Sequence, residues 1–372
     1  MSRILVTGVR APVAVDLIRA LSGQGHEVHA ADVHRSAIVD RLPVQAFQTH
    51  ASPVFAASRF RTEALKIGEK MDVIICLCEE IFHWSALDLP LFAPEPDRLL
   101  ALHSKFDALE LAGGLGIAVP ATRRLTGTDE GARHAAARSV FKPEFSRFGT
   151  QVLIRPAVSR LESLRHDPAN PWLMQACIDG EDLSFYALAH AGEVSAFCAY
   201  RSGWRTRGGA SYYIDPVEPV LSGRLEDVAR TLIGGLGLTG QVACDLRQDA
   251  DGRLWLLECN PRATSGLHLL AHDPAGLAAA FMGAGPVLRT DGTPAFVGPA
   301  MWLYGLPKAL REGRLTPWRD DRARGRDVLA GLSIAALRDT LGYGWRAVRQ
   351  GQSLAAGMTA DIEYNGGRYG SA

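Results

Sequence analysis

Asp245, Glu258 and Asn260 are three oxygen-bearing side chains whose spacing lets them meet at one cation. Asp245 lies in the alternating run Q-V-A-C-D-L-R, and Glu258 and Asn260 close the run W-L-L-E-C-N. Alternation of this kind predicts two strands. Residues 248–253, Q-D-A-D-G-R, lie between them, and Asp-Gly is a strong hairpin signal. Closing that hairpin brings Asp245 beside Glu258. Glu258 and Asn260 share a face, because side chains two apart on a strand point the same way. Arg262 joins them if the strand continues. A few hard oxygen ligands suit Mg²⁺, or Mn²⁺ in its place, with water and phosphate oxygens completing the shell. A cation with a guanidinium beside it is equipped for phosphoryl transfer.

The elements that position this set can be read along the chain. With 372 residues and 47% hydrophobic content, two or three lobes with sizeable cores are expected. Lys+Arg and Asp+Glu both total 40, so bulk charge points to neither nucleic acid nor a membrane surface as partner. The six cysteines sit mostly in apolar runs, as reduced thiols do, which favours a cytoplasmic location. A strand begins at once at residues 3–8, so no signal peptide is expected, and no apolar stretch approaches a membrane span.

Residues 1–100 read as a Rossmann-like open α/β lobe. Strands are expected at 4–7, 27–32 and 71–77, with a helix over 13–23. A nicotinamide site would use Asp32 for a ribose, but the first loop is G-V-R-A-P-V and lacks G-x-G-x-x-G. Glu79 and Glu80 close the third strand, where open α/β sheets gather ligands, and one of them is expected to face a substrate amine.

The acid on one strand followed by E-x-N-x-R on the next resembles the metal signature of the ATP-grasp superfamily, over roughly residues 100–285. The resemblance implies an α+β fold of two subdomains (101–172 and 173–290), with ATP and Mg²⁺ between them. It also implies roles for further motifs. Lys105, in H-S-K-F-D, and Lys142, in V-F-K-P-E-F-S-R-F-G-T-Q-V, would reach the nucleotide phosphates. Ser146 and Gly149 would belong to a loop over those phosphates, although the family's loop is usually richer in glycine. Phe145 to Gln151 is the candidate lid. Gln175, Ala176 and Ile178 would form the adenine hinge, lined by Met174, Ala176 and Ile178, and Asp182 would take the ribose. The family usually has glutamate at the positions of Gln175 and Asp182.

A basic loop, residues 200–211, carries Arg201, Arg205 and Arg207. Arginines bind carboxylates with two parallel hydrogen bonds, so Arg201 and Arg205 are the carboxylate candidates. Ser265 and Gly266, in a small-residue turn after Arg262, could donate to a carboxylate or acyl phosphate, and His268 reads as structural. Residues 291–372 read as a mainly helical extension. Apolar residues at 328, 329, 332, 336, 337, 341, 345 and 348 predict one helix packed on the core. The expectation is an ATP-dependent carboxylate–amine ligase passing through an acyl phosphate, with Lys142 and Arg262 as catalytic residues. Its expected partners are small-molecule substrates, with a homodimer as one option for its assembly. Rival readings are an ATP-grasp carboxylase or carbamoyl-phosphate-type enzyme, a nicotinamide oxidoreductase, and a non-catalytic nucleotide-binding module.

Overall fold

Three sheets organise the protein, seen in a computed structural model that describes residues 1–147, 151–206, 211–349, 351 and 357–366. The first is parallel. Strands β1 (Arg3–Thr7), β2 (Glu27–Asp32), β3 (Ala46–Thr49) and β4 (Val73–Cys76) run in the order β3-β2-β1-β4. The apolar runs of β1 and β4 follow from burial on both faces, whereas β3 at the edge is half-buried to exposed. The helix Val13–Gly23 falls where the sequence predicts it. It buries almost its whole circumference because it is wedged between this sheet and the helix Pro274–Phe281.

The second sheet is small and antiparallel, built from β5 (Thr122–Leu125), β6 (Ser139–Pro143), β7 (Leu153–Ile154) and β8 (Trp172–Ala176) in the order β5-β8-β6-β7. Opposed residues in an antiparallel pair share a face. Phe141 opposes Met174, and both pack on the core of Leu125, Ala132 and Leu161. Lys142 opposes Leu173, and Val140 opposes Gln175, on the other face.

The third sheet comprises β9 (Glu181–His190), β10 (Glu193–Arg205), β11 (Ser211–Pro216), β12 (Gly240–Gln248), β13 (Leu254–Asn260), β14 (Leu288–Arg289), β15 (Ala295–Phe296) and β16 (Arg326–Asp327). Its order is β13-β12-β9-β10-β11-β15-β16, with β14 beside β10. Alternate residues of β9 enter two cores. Phe185, Ala187 and Ala189 meet the helix Pro219–Leu236, whereas Tyr186 and Leu188 meet the layer containing helix Val13–Gly23.

The C-terminal residues are mainly helical, as expected, but they are not a separate appendage. They add β15 and β16 to the large sheet, and residues 357–366 return to the first lobe. There Asp361 and the Met358 carbonyl accept from Arg10. Tyr364 stacks on Phe82. The expected helix over 328–348 forms only as Ser333–Arg349, and its inward face is Ala335, Ala336, Tyr343 and Ala347. Leu337, Leu341, Trp345 and Val348, which the sequence places against the core, point outward. The lobes are also joined by a buried cluster. Asp16 accepts from Arg326 at 2.9 and 3.0 Å and lies 2.6 Å from His268 Nδ1, in keeping with a structural role for His268.

Candidate active site

The Asp-Gly hairpin forms as read. Gly252 adopts a left-handed φ of +80°, and Asp249 Oδ1 accepts from the backbone N–H groups of Asp251 and Arg253. Asp245 on β12 then stands opposite Glu258 on β13 and opposite Ser184 on β9. Ser184 Oγ donates to Asp245 Oδ1 at 2.6 Å. The pairing slips by one residue immediately beyond. Leu246 opposes Leu256, which leaves Leu257 as a bulge. The Leu257 carbonyl accepts from Lys142 Nζ at 3.3 Å. A lysine of the small sheet therefore reaches the Asp245–Glu258 hairpin of the large one.

Lys105 reaches the same place from a third element. It sits in the break between helices Pro96–His103 and Asp107–Gly114. Ser104 Oγ caps the second helix, accepting from Asp107 N at 3.0 Å, and donates to the buried carboxylate of Glu144. Glu144 also accepts from Arg124 at 2.6 and 2.7 Å. With the break so fixed, Lys105 Nζ donates to the Ser146 carbonyl at 2.9 Å and lies 3.8 Å from Glu258 Oε2.

The charges respond to one another. Burial tends to raise the pKa of Glu258, but Lys105 and Lys142 outweigh it and hold the carboxyl down at about 2. Burial, and then the neighbouring Glu258 charge, push Asp245 up to about 7, against the Ser184 hydrogen bond. Burial lowers Lys142 to about 8. Two adjacent carboxylates that resist ionising together, with the amide of Asn260 two residues along, form a donor set that fits a small divalent cation. Among the described residues no cluster of three His, Cys, Asp or Glu side chains encloses a metal by itself.

The strand ends at Asn260 rather than running on to Arg262. The chain turns at Pro261, and the Arg262 N–H donates to the Asn260 carbonyl at 2.8 Å. The guanidinium still returns to the site, with Nη2 3.4 Å from Asn260 Oδ1 and 3.8 Å from Glu79 Oε1. Glu79 therefore faces this cluster. Glu80 turns into the first lobe, accepting from Thr7 Oγ1 at 2.9 Å and from the Leu77 N–H. Arg147 Nε donates to Glu79, while its Nη2 donates to the carbonyl of Tyr364 at 2.9 Å. Sequence reasoning missed Ser184, Arg147 and the Leu257 bulge. Only Ser184 had a signal, its strand parity with Asp182.

Other expected residues stand differently. Asp182 accepts from Arg247 Nε at 2.9 Å and from Arg205 Nη1 at 3.2 Å, so its ribose role competes with two arginines. At the hinge, Ala176 N–H donates to Ala121 O at 2.8 Å and Ile178 O accepts from Arg247 at 2.8 Å. Met174 packs in the small lobe's core, away from the cleft. Gln175 does face the cleft side, where its Nε2 donates to Thr122 Oγ1 at 3.1 Å. Arg201 is held at the rim by Glu181 (2.5 Å) and Glu218 (2.8 Å), with which a substrate carboxylate would have to compete. Arg205 lies nearer, and its charge is felt by Asp245. Ser146 Oγ donates to Pro143 O at 3.3 Å. Ser265 is half-buried, whereas Gly266 is a packing position, because a Cβ there would lie 2.6 Å from Tyr186 Cβ. Gly149 and Arg207 lie outside the described residues. Asp32, the acid a dinucleotide would need, is engaged by the backbone N–H and guanidinium of Arg10.

Comparison with known proteins places the likeness in the middle of the chain. Residues 104–266, which span Lys105 to the turn after Arg262, match the ATP-grasp domain family. These residues are an ATP-grasp domain. No curated protein matches the chain. Solved ATP-grasp structures share the fold. An N5-carboxyaminoimidazole ribonucleotide synthetase in its ADP complex superposes with a TM-score of 0.65 at 16% identity, covering 85% of this chain and 86% of that one. The N5-carboxyaminoimidazole synthetase from Staphylococcus aureus gives 0.66 at 14%, covering 84% and 86%. The biotin carboxylase domain of Hydrogenobacter thermophilus 2-oxoglutarate carboxylase, with MgADP, ADP and bicarbonate, gives 0.63 at 15%, covering 77% and 70%. The coverage extends well beyond the matched domain, so the flanking lobes belong to the shared architecture.

Proposed function

We propose that the protein is an ATP-dependent ligase that activates a small carboxylate as an acyl phosphate for attack by an amine. The observation that carries this reading is the convergence of Lys105, Lys142, Asp245, Glu258, Asn260 and Arg262 from three separate elements onto one cleft. Bound MgATP would supply the γ-phosphoryl group. Asp245, Glu258 and Asn260 would hold the cation, and Lys105 and Lys142 the phosphates. A carboxylate oxygen attacks the γ-phosphorus and ADP departs. The amine nitrogen then attacks the acyl carbon, phosphate leaves, and the amine gives up a proton. Lys142 and Arg262 offset charge that spreads over the phosphoryl oxygens. Glu79 keeps Arg262 turned toward Asn260.

A second reading takes bicarbonate as the carboxylate. It is favoured by the neighbours, which are N5-carboxyaminoimidazole synthetases and a biotin carboxylase bound to bicarbonate, and by the engagement of Arg201 with protein carboxylates. ADP and phosphate release, screened over pairs of small acids and amines and over bicarbonate with amines, separates the two. With ¹⁸O in the acid's carboxyl group, one label should pass into phosphate. AMP and pyrophosphate as products would exclude both readings.

A further inference from the structure

The helix Ser333–Arg349 turns an apolar stripe outward. Ile334, Leu337, Leu341, Trp345 and Val348 follow one another at three- and four-residue steps and are 80%, 57%, 63%, 60% and 79% exposed. Isolated exposed apolar residues are ordinary, but a five-residue stripe along one helix marks a surface that is covered in use. The helix is already anchored on its other side through Ala335, Ala336, Tyr343 and Ala347.

The charges around the stripe indicate what covers it. Arg338 and Arg349 flank it and are exposed, and the Arg349 guanidinium lies 4.3 Å from the Trp345 ring centroid. The only acid of the helix, Asp339, is turned inward. It accepts from Ser36 Oγ at 2.8 Å and from the N–H groups of Ala37 and Ile38 at 2.7 and 3.2 Å. The outer face thus carries apolar and cationic side chains and no carboxylate. The imbalance is regional. Residues 298–349 hold ten Lys and Arg against five Asp and Glu, in a chain whose totals are 40 and 40. The turn Gly298–Ala300 packs on the same helix, and directly after it Trp302 and Leu303 are 52% and 59% exposed.

We infer that this face seats the protein on an anionic phospholipid surface, with the helix lying in the interface plane. Leu and Ile side chains enter the acyl boundary, tryptophan sits at the headgroup level, and the arginines meet lipid phosphates. A second copy of the chain fits less well. Pairing two such faces brings arginines onto surfaces without a counter-charge. No helix of the described residues is long and apolar enough to cross a membrane, so the association is peripheral.

The test is co-sedimentation of the full chain with phosphatidylcholine vesicles, with and without phosphatidylglycerol. Binding should be stronger by roughly tenfold or more with the anionic lipid, and should weaken as salt rises. Trp345 emission should shift to the blue on binding. The double variant Leu341→Glu, Trp345→Ser should lose binding while keeping its melting temperature, because both side chains are exposed. Absence of binding to anionic vesicles, or equal binding by the double variant, overturns the proposal. So does a concentration-dependent dimer in sedimentation velocity that the double variant abolishes, which would make the face an interface between copies.

Discussion

Arg147 donates to Glu79, tying the segment that follows β6 to the residues that follow β4. The same guanidinium holds the returning C-terminal segment, through the Tyr364 carbonyl at 2.9 Å, Asn365 Oδ1 at 3.0 Å and Glu363 at 2.9 Å. Burial would raise the Glu79 carboxyl, but Arg147 and then Arg262 hold it below its usual range. Three distant parts of the chain therefore depend on one ion pair.

Arg147→Met leaves Glu79 buried, with Arg262 at 3.8 Å and the Tyr364 N–H at 3.3 Å as weaker partners. Breaking a buried pair typically costs about 3–5 kcal/mol. Denaturant unfolding should show a loss of that order, and KM for ATP should rise several-fold as the segment after β6 loosens. Adding Glu79→Gln should recover part of the stability, because the orphaned charge is then gone. An unchanged KM in a folded Arg147→Met variant would detach this pair from nucleotide binding.

Glu258→Gln removes the charge that Lys105 and Lys142 flank while keeping the side chain's shape. ADP formation should fall by at least about two orders of magnitude, the scale seen when a group that stabilises transition-state charge is lost. Relief of the like-charge pairing should also let Asp245 ionise at lower pH, since Glu258 raises it now. Wild-type turnover in the folded variant would remove Glu258 from the chemistry.

Much of this site was legible because it rests on local rules. Strand parity joins Glu258 to Asn260, and an Asp-Gly turn aligns Asp245 with Glu258. The first lobe was equally legible, since its helix obeys simple apolar spacing. What escaped was set by contacts between parts far apart in sequence. The Leu257 bulge shows only in the pairing of β12 with β13, and Arg147 meets Tyr364 over a separation of 217 residues. The partners of the arginines were hidden for the same reason. Nothing in R-S-G-W-R announces that Glu181 and Glu218 already hold Arg201. The C-terminal helix deceived in another way. Its apolar pattern is real, but periodicity does not say whether the inner face or the outer one is covered.

Lys142 carries a pH signature. Its folded pKa of about 8 lies below that of free lysine, about 10.4, because burial disfavours its charge. The ammonium is complete well below pH 8 and is lost as pH rises through that value. ATP requires the charged form, so KM for ATP should climb above about pH 8, by up to roughly tenfold per pH unit. Lys142→Arg keeps its charge throughout, and its KM profile should be flat there even if its absolute value is higher. A wild-type profile level up to pH 10 would mean that this amine does not meet the nucleotide.

Gly266 separates a packing role from a ligand role. A Cβ at this position would lie 2.6 Å from Tyr186 Cβ, 2.7 Å from Tyr200 Cε1 and 3.2 Å from Cys198 Sγ. Tyr186, Tyr200 and Cys198 are all buried on β9 and β10, so none can swing into solvent. Overpacking of this kind typically costs about 1–3 kcal/mol. Gly266→Ala should therefore lower the melting temperature plainly. Because the turn that follows Arg262 would be pushed off the sheet, kcat should fall more than KM for ATP. A variant of unchanged stability whose defect is confined to the affinity for the acid would show instead that the backbone of this turn holds substrate.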